Sequence, residues 1–225
     1  NEISPSDIYR DVKAASVVSL PPNREIIHVI PRNFIVDGTE YVKNPLGMKG
    51  VRLEADVVLV DGLSPYLRNL AKCVNENNIE VAGLVYAPLA SALSVLDKNQ
   101  KEYGVVNLDF GGGTSTLTVY EEADLLHSAV LPIGSRHITN DLAVLLRTSI
   151  DVAERVKVEH GSTSNGEDMR RRGEIDLSAL LGEENFLIQK KKLVKVIDAR
   201  VHELFDMVGN ELKKFSKKGL LPAGV

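Results

Sequence analysis

Two stretches of the chain alternate apolar and polar residues with the period of a half-buried strand: "EIIHVIPRNFIVDG" (residues 25–38) and "VRLEADVVLVDG" (51–62). Both run into Asp-Gly, a turn dipeptide, so each strand is expected to end there. Between them "KNPLGMKG" carries Pro45, Gly47 and Gly50 and predicts a loop. On either side the period lengthens to that of a helix. "SPSDIYRDVKAASVV" offers Ser4 as N-cap and Pro5 as the first helical residue, and "SPYLRNLAKCVNENN" repeats the arrangement with Ser64 and Pro65. In the second, Leu67, Leu70, Ala71 and Val74 fall on one stripe. Residues 1 to about 80 thus predict an α+β unit with helices on one face of a small sheet.

The pattern then changes. "VAGLVYAP" (81–88) predicts a short strand and "LASALSVLDKN" (89–99) a helix rich in small residues. "YGVVNLDF" and "TLTVYEEADLLHSAVLPIG" predict strands on either side of three glycines, with a helix opening at Thr139. "SIDVAERVKVEHG" predicts a helix capped by Ser149 or Asp151 and closed by Gly161 in the left-handed conformation. Residues 162–190 are polar and weakly patterned, with short strands expected in "EIDLSALL" and "NFLIQK". A long helix follows from about Lys192 to Ser216, with Leu193, Val196, Ile197, Leu204, Val208 and Leu212 on one face and Gly219 closing it.

Composition narrows the function classes. The 225 residues are 44% apolar, enough for a sizeable core in one or two domains. A net charge of −4 argues against a nucleic-acid partner held through phosphates. The one cysteine, Cys73, excludes an internal disulfide, suggests a reducing compartment and falls on the apolar side of its helix, where a buried thiol is expected. No apolar run approaches the ~20 residues of a spanning helix. His28, His127, His137, His160 and His202 share no zinc-ligand spacing. The chain starts at Asn1 and stops in the strand-like "LLPAGV", so a fragment of a longer protein is expected.

Candidate chemistry centres on "VVNLDFGGGTSTLTVY" (105–120). Gly111, Gly112 and Gly113 permit a tight turn that points backbone N–H groups at one place, an anion nest. Thr114 and Ser115 would add hydroxyl donors, and Asp109 at the preceding strand's end suits the water shell of Mg2+. The same glycines also serve a plain hairpin. A second turn, "PIGSRHIT", sets Gly134 and Ser135 before a helix N-terminus, which attracts anions, with His137 near a ligand or acting as a cap. Glu154 and Lys157, three apart on a helix, can bracket the hydroxyls of a ribose or form a surface ion pair.

Strand–Asp-x-Gly-Gly-Gly-Thr–strand, a glycine turn into a helix and Ala-Glu-x-x-Lys together resemble the second phosphate and adenosine half of the actin-like ATPase superfamily. "REIIHVIPRNFIVDG", "KNPLGMKGVRLEADVVLV" and "PLASALSVL…YGVVNLDFGGGTSTLTVY" closely resemble the FtsA family, the actin homologues that tether the bacterial division ring to the membrane. The resemblance implies an α/β, actin-like (ribonuclease H-like) fold fragment with an inserted α+β 1C subdomain. Residues 1–82 would form 1C, 83–103 the return helix of 1A, 104–147 subdomain 2A, 148–216 subdomain 2B, and 217–225 would re-enter 2A. The first phosphate loop, the adenosine motif and a C-terminal membrane-binding helix are expected outside this stretch.

By resemblance, ATP and Mg2+ would be held by Asp109 (through water), Gly111, Gly112, Gly113, Thr114, Ser115, Gly134, Ser135, Glu154 and Lys157. Two positions depart from hydrolytic members: Thr116 stands where they often carry aspartate, and Ala87 where heat-shock chaperones and MreB carry glutamate. FtsA proteins vary at both. Without those carboxylates, ATP is expected as a structural ligand and polymerisation switch with slow hydrolysis at most. The family docks the C-terminal tail of FtsZ on 2B and self-associates into filaments through 1C. Lys195, Arg200, Lys213, Lys214, Lys217 and Lys218 of the long helix can meet tail carboxylates or merely form a solvated, dipole-favoured face. The implied location is the cytoplasmic face of the membrane at the division site. PilM of type IV pilus machines and an active ATPase or sugar kinase of the same fold are the alternatives.

Overall fold

The computed structural model describes residues 2–38, 40–163, 173–182, 185–214 and 221–225. Helix α1 (Pro5–Ala15) begins as expected: the Ser4 hydroxyl accepts from the Asp7 N–H, and the Asp7 carboxylate accepts from the Ser4 N–H at 3.0 Å, a reciprocal capping box. Strands β1 (Arg24–Val36), β2 (Glu40–Val42) and β3 (Leu53–Leu63) form an antiparallel sheet in the order β2-β1-β3. β1 and β3 pair from Arg24↔Leu63 to Val36↔Leu53, with register shifts at Ile26/His28 and Pro31/Asn33. β2, absent from the sequence expectation, pairs only with Phe34, Ile35 and Val36.

Asp37-Gly38 turns the chain as predicted, with both residues at positive φ. Asp61-Gly62 does not: it lies inside β3, where the Arg24 guanidinium donates to both oxygens of Asp61 at 2.8 and 2.6 Å. Gly62 sits close under two side chains: a Cβ there would lie 3.0 Å from Leu67 and 3.1 Å from Ile27, which would have to give by a few tenths of an ångström.

Helix α2 (Ser64–Asn75) is capped by Leu63 without a side-chain hydrogen bond, so Ser64 is a buried first-turn residue and not the cap. Of the expected stripe, Leu67, Ala71 and Val74 are half-buried and Leu70 is 60% exposed. Cys73 is exposed, because the helix packs on β3 with a narrower face than its sequence offers. Residues 81–86 form no strand; the N–H of Tyr86 bonds the His28 ring at 2.9 Å, and no strand pairs with this segment among the described residues. Helices α3 (Ala87–Val95) and α4 (Lys98–Tyr103) follow, the second unforeseen.

Strands β4 (Val105–Phe110), β5 (Ser115–Glu121) and β6 (Asp124–Leu131) make a sheet in chain order. Glu122 and Ala123 turn β5 into β6 at positive φ without glycine. That costly geometry is held by hydrogen bonds from Glu122 N–H to the Glu102 carbonyl and from Ala123 N–H to that of Lys101. Lys43 adds a bond to the Glu122 carbonyl at 2.6 Å and an ion pair with Asp124.

Helix α5 (Ser135–Leu146) starts four residues before the expected Thr139. Helix α6 (Ile150–His160) is capped by Ser149, and Gly161 is extended (φ −68°) instead of left-handed. Gly161 is still required, since a Cβ there would strike the Lys157 carbonyl oxygen. Strand β7 (Glu174–Asp176), the short helix α7 (Ser178–Leu181) and strand β8 (Leu187–Gln189) follow; β7 and β8 pair antiparallel, and "SALL" is helical. The long helix α8 spans Lys190–Lys213; Ser216, Lys217, Lys218 and Gly219 lie outside the described residues.

The chain divides into two compact units, Asn1–Glu102 with Tyr120–Leu126, and Tyr103–Val119 with His127–Val225. In the second, Leu142, Leu146, Val156, Leu177, Leu193 and Ile197 form one buried cluster. Val106, Leu117, Val119, Leu131, Ile133, Leu204 and Val208 form another, between the sheet and α8. Burying those residues drives the packing of α8.

Candidate functional site

The glycine turn and the turn before α5 are built onto each other. The N–H of Ser135 donates to the Gly111 carbonyl at 2.9 Å and that of Arg136 to the Gly112 carbonyl at 2.8 Å. Gly111 closes its own turn, donating to the Thr114 carbonyl at 3.1 Å. Two of the glycines are dictated by this contact. A Cβ on Gly134 would lie 2.6 Å from the carbonyl oxygens of both Gly111 and Gly112, and one on Gly111 would lie 2.7 Å from that of Thr114. Such approaches require a shift of backbone, which close packing resists. Gly112 and Gly113 differ: a Cβ on either meets nothing within 4 Å, and both are exposed. No hydrogen bond engages the N–H of Gly112 or Gly113 among the described residues, which leaves both donors available.

Several predicted ligands turn out to serve this joint. The first N–H groups of α5, expected to be free for an anion, are spent on the glycine carbonyls. Ser115 is fully buried and its hydroxyl donates to the Ile133 carbonyl at 2.7 Å, so it braces the two turns. His137 caps the helix, accepting from the Gly134 N–H through Nδ1 at 3.1 Å. The accepting carbonyls have no signature in the sequence, because hydrogen bonds between distant turns leave no periodic signal.

Glu154 and Lys157 prove to be more than a surface pair. Lys157 Nζ lies 2.7 Å from Glu154 Oε2 and 2.9 Å from Thr139 Oγ1, and Thr139 donates to Glu154 at 2.5 Å. Lys157 also reaches the Ser135 carbonyl at 3.4 Å, so the triad ties α6 to the first turn of α5. The Lys157 ammonium, then the Thr139 hydroxyl, hold the Glu154 carboxyl below its usual range, against a smaller opposing effect of burial. Thr139, in the sequence no more than an expected helix start, is the buried centre of this arrangement.

Asp109 is exposed at the end of β4. On the neighbouring strand, Leu117 and Val119 pack into the core with Val106 and Leu108, so alternation sets Asn107, Asp109, Thr116 and Thr118 on the other face. The hydroxyls of Thr116 and Thr118 are buried without a hydrogen-bond partner. Such orphaned groups are uncommon in native proteins. Among the described residues, no cluster of three or more His, Cys, Asp or Glu could by itself hold a metal ion. One exposed carboxylate beside unpartnered hydroxyls does fit Mg2+, which keeps most of its waters.

Of the expected partner-binding residues, Arg200 is already engaged: its guanidinium forks onto both oxygens of Asp141 at 2.8 and 2.9 Å and pairs with Glu203. Lys214 pairs with Glu211, and Lys213 bonds the Asn210 side chain at 3.4 Å. Beside Asp141 and Arg200, a groove of about 490 Å³ runs between α5 and α8 over Val144, Leu145, Val196 and Ala199. His127 lies 3.3 Å from Glu211, and burial pushes its pKa down despite that carboxylate.

Comparison with known proteins places these features in a family. Residues 1–61 match the family model described as the SHS2 domain inserted in FtsA, and residues 106–217 match that of cell division protein FtsA. Cell division protein FtsA of Pseudomonas aeruginosa is 35% identical over 225 residues, covering 100% of this chain and 54% of the relative. That of Bacillus subtilis is 37% identical over 213 residues, 94% of this chain and 48% of the relative. The chain therefore spans about half the length of the curated relatives it matches. Among solved structures, a PilM–PilN type IV pilus biogenesis complex aligns with a TM-score of 0.62 at 13% identity, over 96% of this chain and 53% of that one. MreB5 of Spiroplasma citri bound to AMPPNP aligns with a TM-score of 0.54 at 19% identity, over 72% of this chain and 51% of that one. At these identities the two structures speak for the fold alone, which is actin-like. With both family models and the sequence matches along 94–100% of this chain in agreement, the chain belongs to the FtsA family of cell division proteins.

Proposed function

We propose that this chain carries one wall of an ATP–Mg2+ site in a division protein that polymerises and links FtsZ to the cytoplasmic membrane. The observation that carries the nucleotide reading is the interlock of the two glycine turns, which consumes the carbonyls of Gly111 and Gly112 and leaves the exposed Gly112 and Gly113 with N–H groups that no backbone carbonyl accepts among the described residues. Donors fixed in advance lose little entropy when they meet phosphate oxygens. Thr114, exposed at the rim, adds a hydroxyl, and Asp109 would orient metal-bound waters. Glu154 and Lys157, held by Thr139, would meet the ribose. MreB5 of S. citri, which shares the fold, was solved with AMPPNP bound, which supports the class of ligand.

The bound Mg2+ would neutralise phosphate charge. Neither Thr116 nor Ala87, at the start of α3, can act as a base for water, so slow hydrolysis or none follows. Residues 1–82 are assigned to 1C and filament contact, 83–103 to 1A, 104–147 and 217–225 to 2A, and 148–216 to 2B, where the FtsZ tail would dock near α8. The internal pairing of Arg200 with Asp141 and of Lys214 with Glu211 moves the weight of that contact to Lys213, whose bond is to the neutral Asn210 side chain.

The reading is tested by titrating full-length protein with Mg-ATP, alone and as Asp109→Ala. Binding weakened tenfold or more by the substitution supports it; no binding of wild type removes it. A steady turnover above about 1 s⁻¹, the low end of ordinary enzymes, would contradict the holding role. Titration with an FtsZ C-terminal peptide tests the partner, and absence of binding at high micromolar peptide rejects it.

A further inference from the structure

The nucleotide reading leaves two side chains unused. Thr118 is fully buried with its hydroxyl unpartnered, and the Thr116 hydroxyl is likewise buried without a partner. Both belong to β5, two residues apart, and therefore share a face. That face is not the one packed on α8: Leu117 and Val119 occupy that side, with Val106, Leu131, Leu204 and Val208. On the adjacent β4 the same alternation sets Val106 and Leu108 towards the core, and Asn107 and Asp109 towards the threonines. The result is a polar column of two hydroxyls, one amide and one carboxylate, running from the buried Val105 and Tyr120 on the same face to the glycine turn.

A valine fills nearly the same volume as threonine and needs no partner. Two threonines whose hydroxyls find no protein acceptor on a strand otherwise closely packed are therefore a cost without an internal return. Buried polar groups of this kind are commonly met by ordered water, provided that the site is polar and offers the water several partners. The column supplies such partners, and its Asp109 end is open.

We propose that Thr116 and Thr118 are positioning residues that hold ordered waters in line with Asp109, and that these waters complete the outer shell of the magnesium ion bound with ATP. The inference rests on the nucleotide reading above and assigns to Thr116 a task beyond the lack of an acid. A hydroxyl can orient a metal-bound water through a hydrogen bond while leaving it unactivated, because it cannot take up the proton. Such a column favours retention of Mg-ATP over its turnover.

The test uses full-length protein and its Thr116→Val, Thr118→Val and Thr118→Ser forms, titrated with ATP in the presence of Mg2+ and again with EDTA. Thr116→Val and Thr118→Val are each expected to weaken binding about fivefold with Mg2+, the worth of one ordinary hydrogen bond, and to leave Mg2+-free binding within about twofold of wild type. Thr118→Ser keeps the hydroxyl and is expected to restore affinity. The apo melting temperature of the valine forms is expected to match or exceed that of wild type, which separates a lost water site from a damaged strand. Equal affinity in all forms, or an equal loss with and without Mg2+, overturns the proposal while the nucleotide reading stands. Wild type that binds no Mg-ATP overturns both.

Discussion

The two units of the chain hold themselves together differently. In the first, β1 and β3 pair along their length yet remain half-buried at nearly every position, and Phe34 and Val36 are the buried residues of β1. Cross-strand ion pairs supplement that thin core, Arg24 with Asp61 and Arg32 with Asp56. In the second, α5, α6 and α8 enclose apolar residues with almost no exposed surface, such as Leu142, Leu193 and Val156. The contrast separates two tasks. A half-exposed sheet has surface to offer a partner, while a site that needs tenths of an ångström must stand on a close-packed base.

Four experiments put that contrast at risk. The largest effect is expected from Gly134→Ala, whose Cβ would strike the carbonyls of Gly111 and Gly112 at 2.6 Å. A loss of about 4 kcal/mol in chemical denaturation is expected, since only backbone movement relieves the clash. Gly112→Ala, pointing into open space, should leave stability nearly unchanged, and equal stability of the two variants would refute the interlock.

Next comes core truncation in each unit. Leu142→Ala, at a fully buried site, should cost about 3 kcal/mol, and Ile30→Ala in half-buried β1 about 1 kcal/mol. Equal losses would mean that the first unit is as closely packed as the second. Ser115→Ala removes the 2.7 Å bond to the Ile133 carbonyl and leaves that acceptor buried, for a loss of about 1–2 kcal/mol. If Ser115 were instead a ligand donor, stability would hold and only nucleotide affinity would fall.

The smallest effect belongs to the exposed capping box of α1. Hydrogen bonds from Ser4, side chain first and then backbone, lower the Asp7 pKa from 3.8 to about 2. Because the folded value is depressed, the contribution is present above the ordinary value and is lost as pH falls from about 4 to about 2. Thermal unfolding of wild type against Asp7→Asn should show a larger loss of stability in wild type over this pH range, since Asp61 and Glu154 are also depressed and lose stability in both forms.

Much of this architecture is legible in the residues. The period-two runs locate β1 and β3, Ser4 with Pro5 locates α1, and the heptad-like spacing of Leu193, Ile197, Leu204 and Val208 locates the buried face of α8. These elements are set by local propensity and by which face can be buried. What misleads are features whose meaning depends on a distant neighbour. Asp61-Gly62 has turn chemistry but lies inside a strand, because Arg24 pairs with the aspartate and Leu67 and Ile27 close over the glycine. Cys73 has an apolar context and is exposed, and "VAGLVYAP" has strand composition without a paired strand among the described residues.

The candidate site divides in the same way. The residue types that this chemistry requires are already present along the chain: glycines where N–H groups must be bared, Asp109 at a strand end, Thr116 and Ala87 in place of acids, and Glu154 and Lys157 on one side of a helix. Which donors remain available was settled by the fold in three dimensions. It spent the N–H groups of Ser135 and Arg136 and the Ser115 hydroxyl on joining two turns, made Thr139 the hub of the Glu154–Lys157 pair, and left the Thr116 and Thr118 hydroxyls unpartnered. Residue type and period act along the chain, whereas a hydrogen bond is claimed by whichever partner folding brings within about 3 Å.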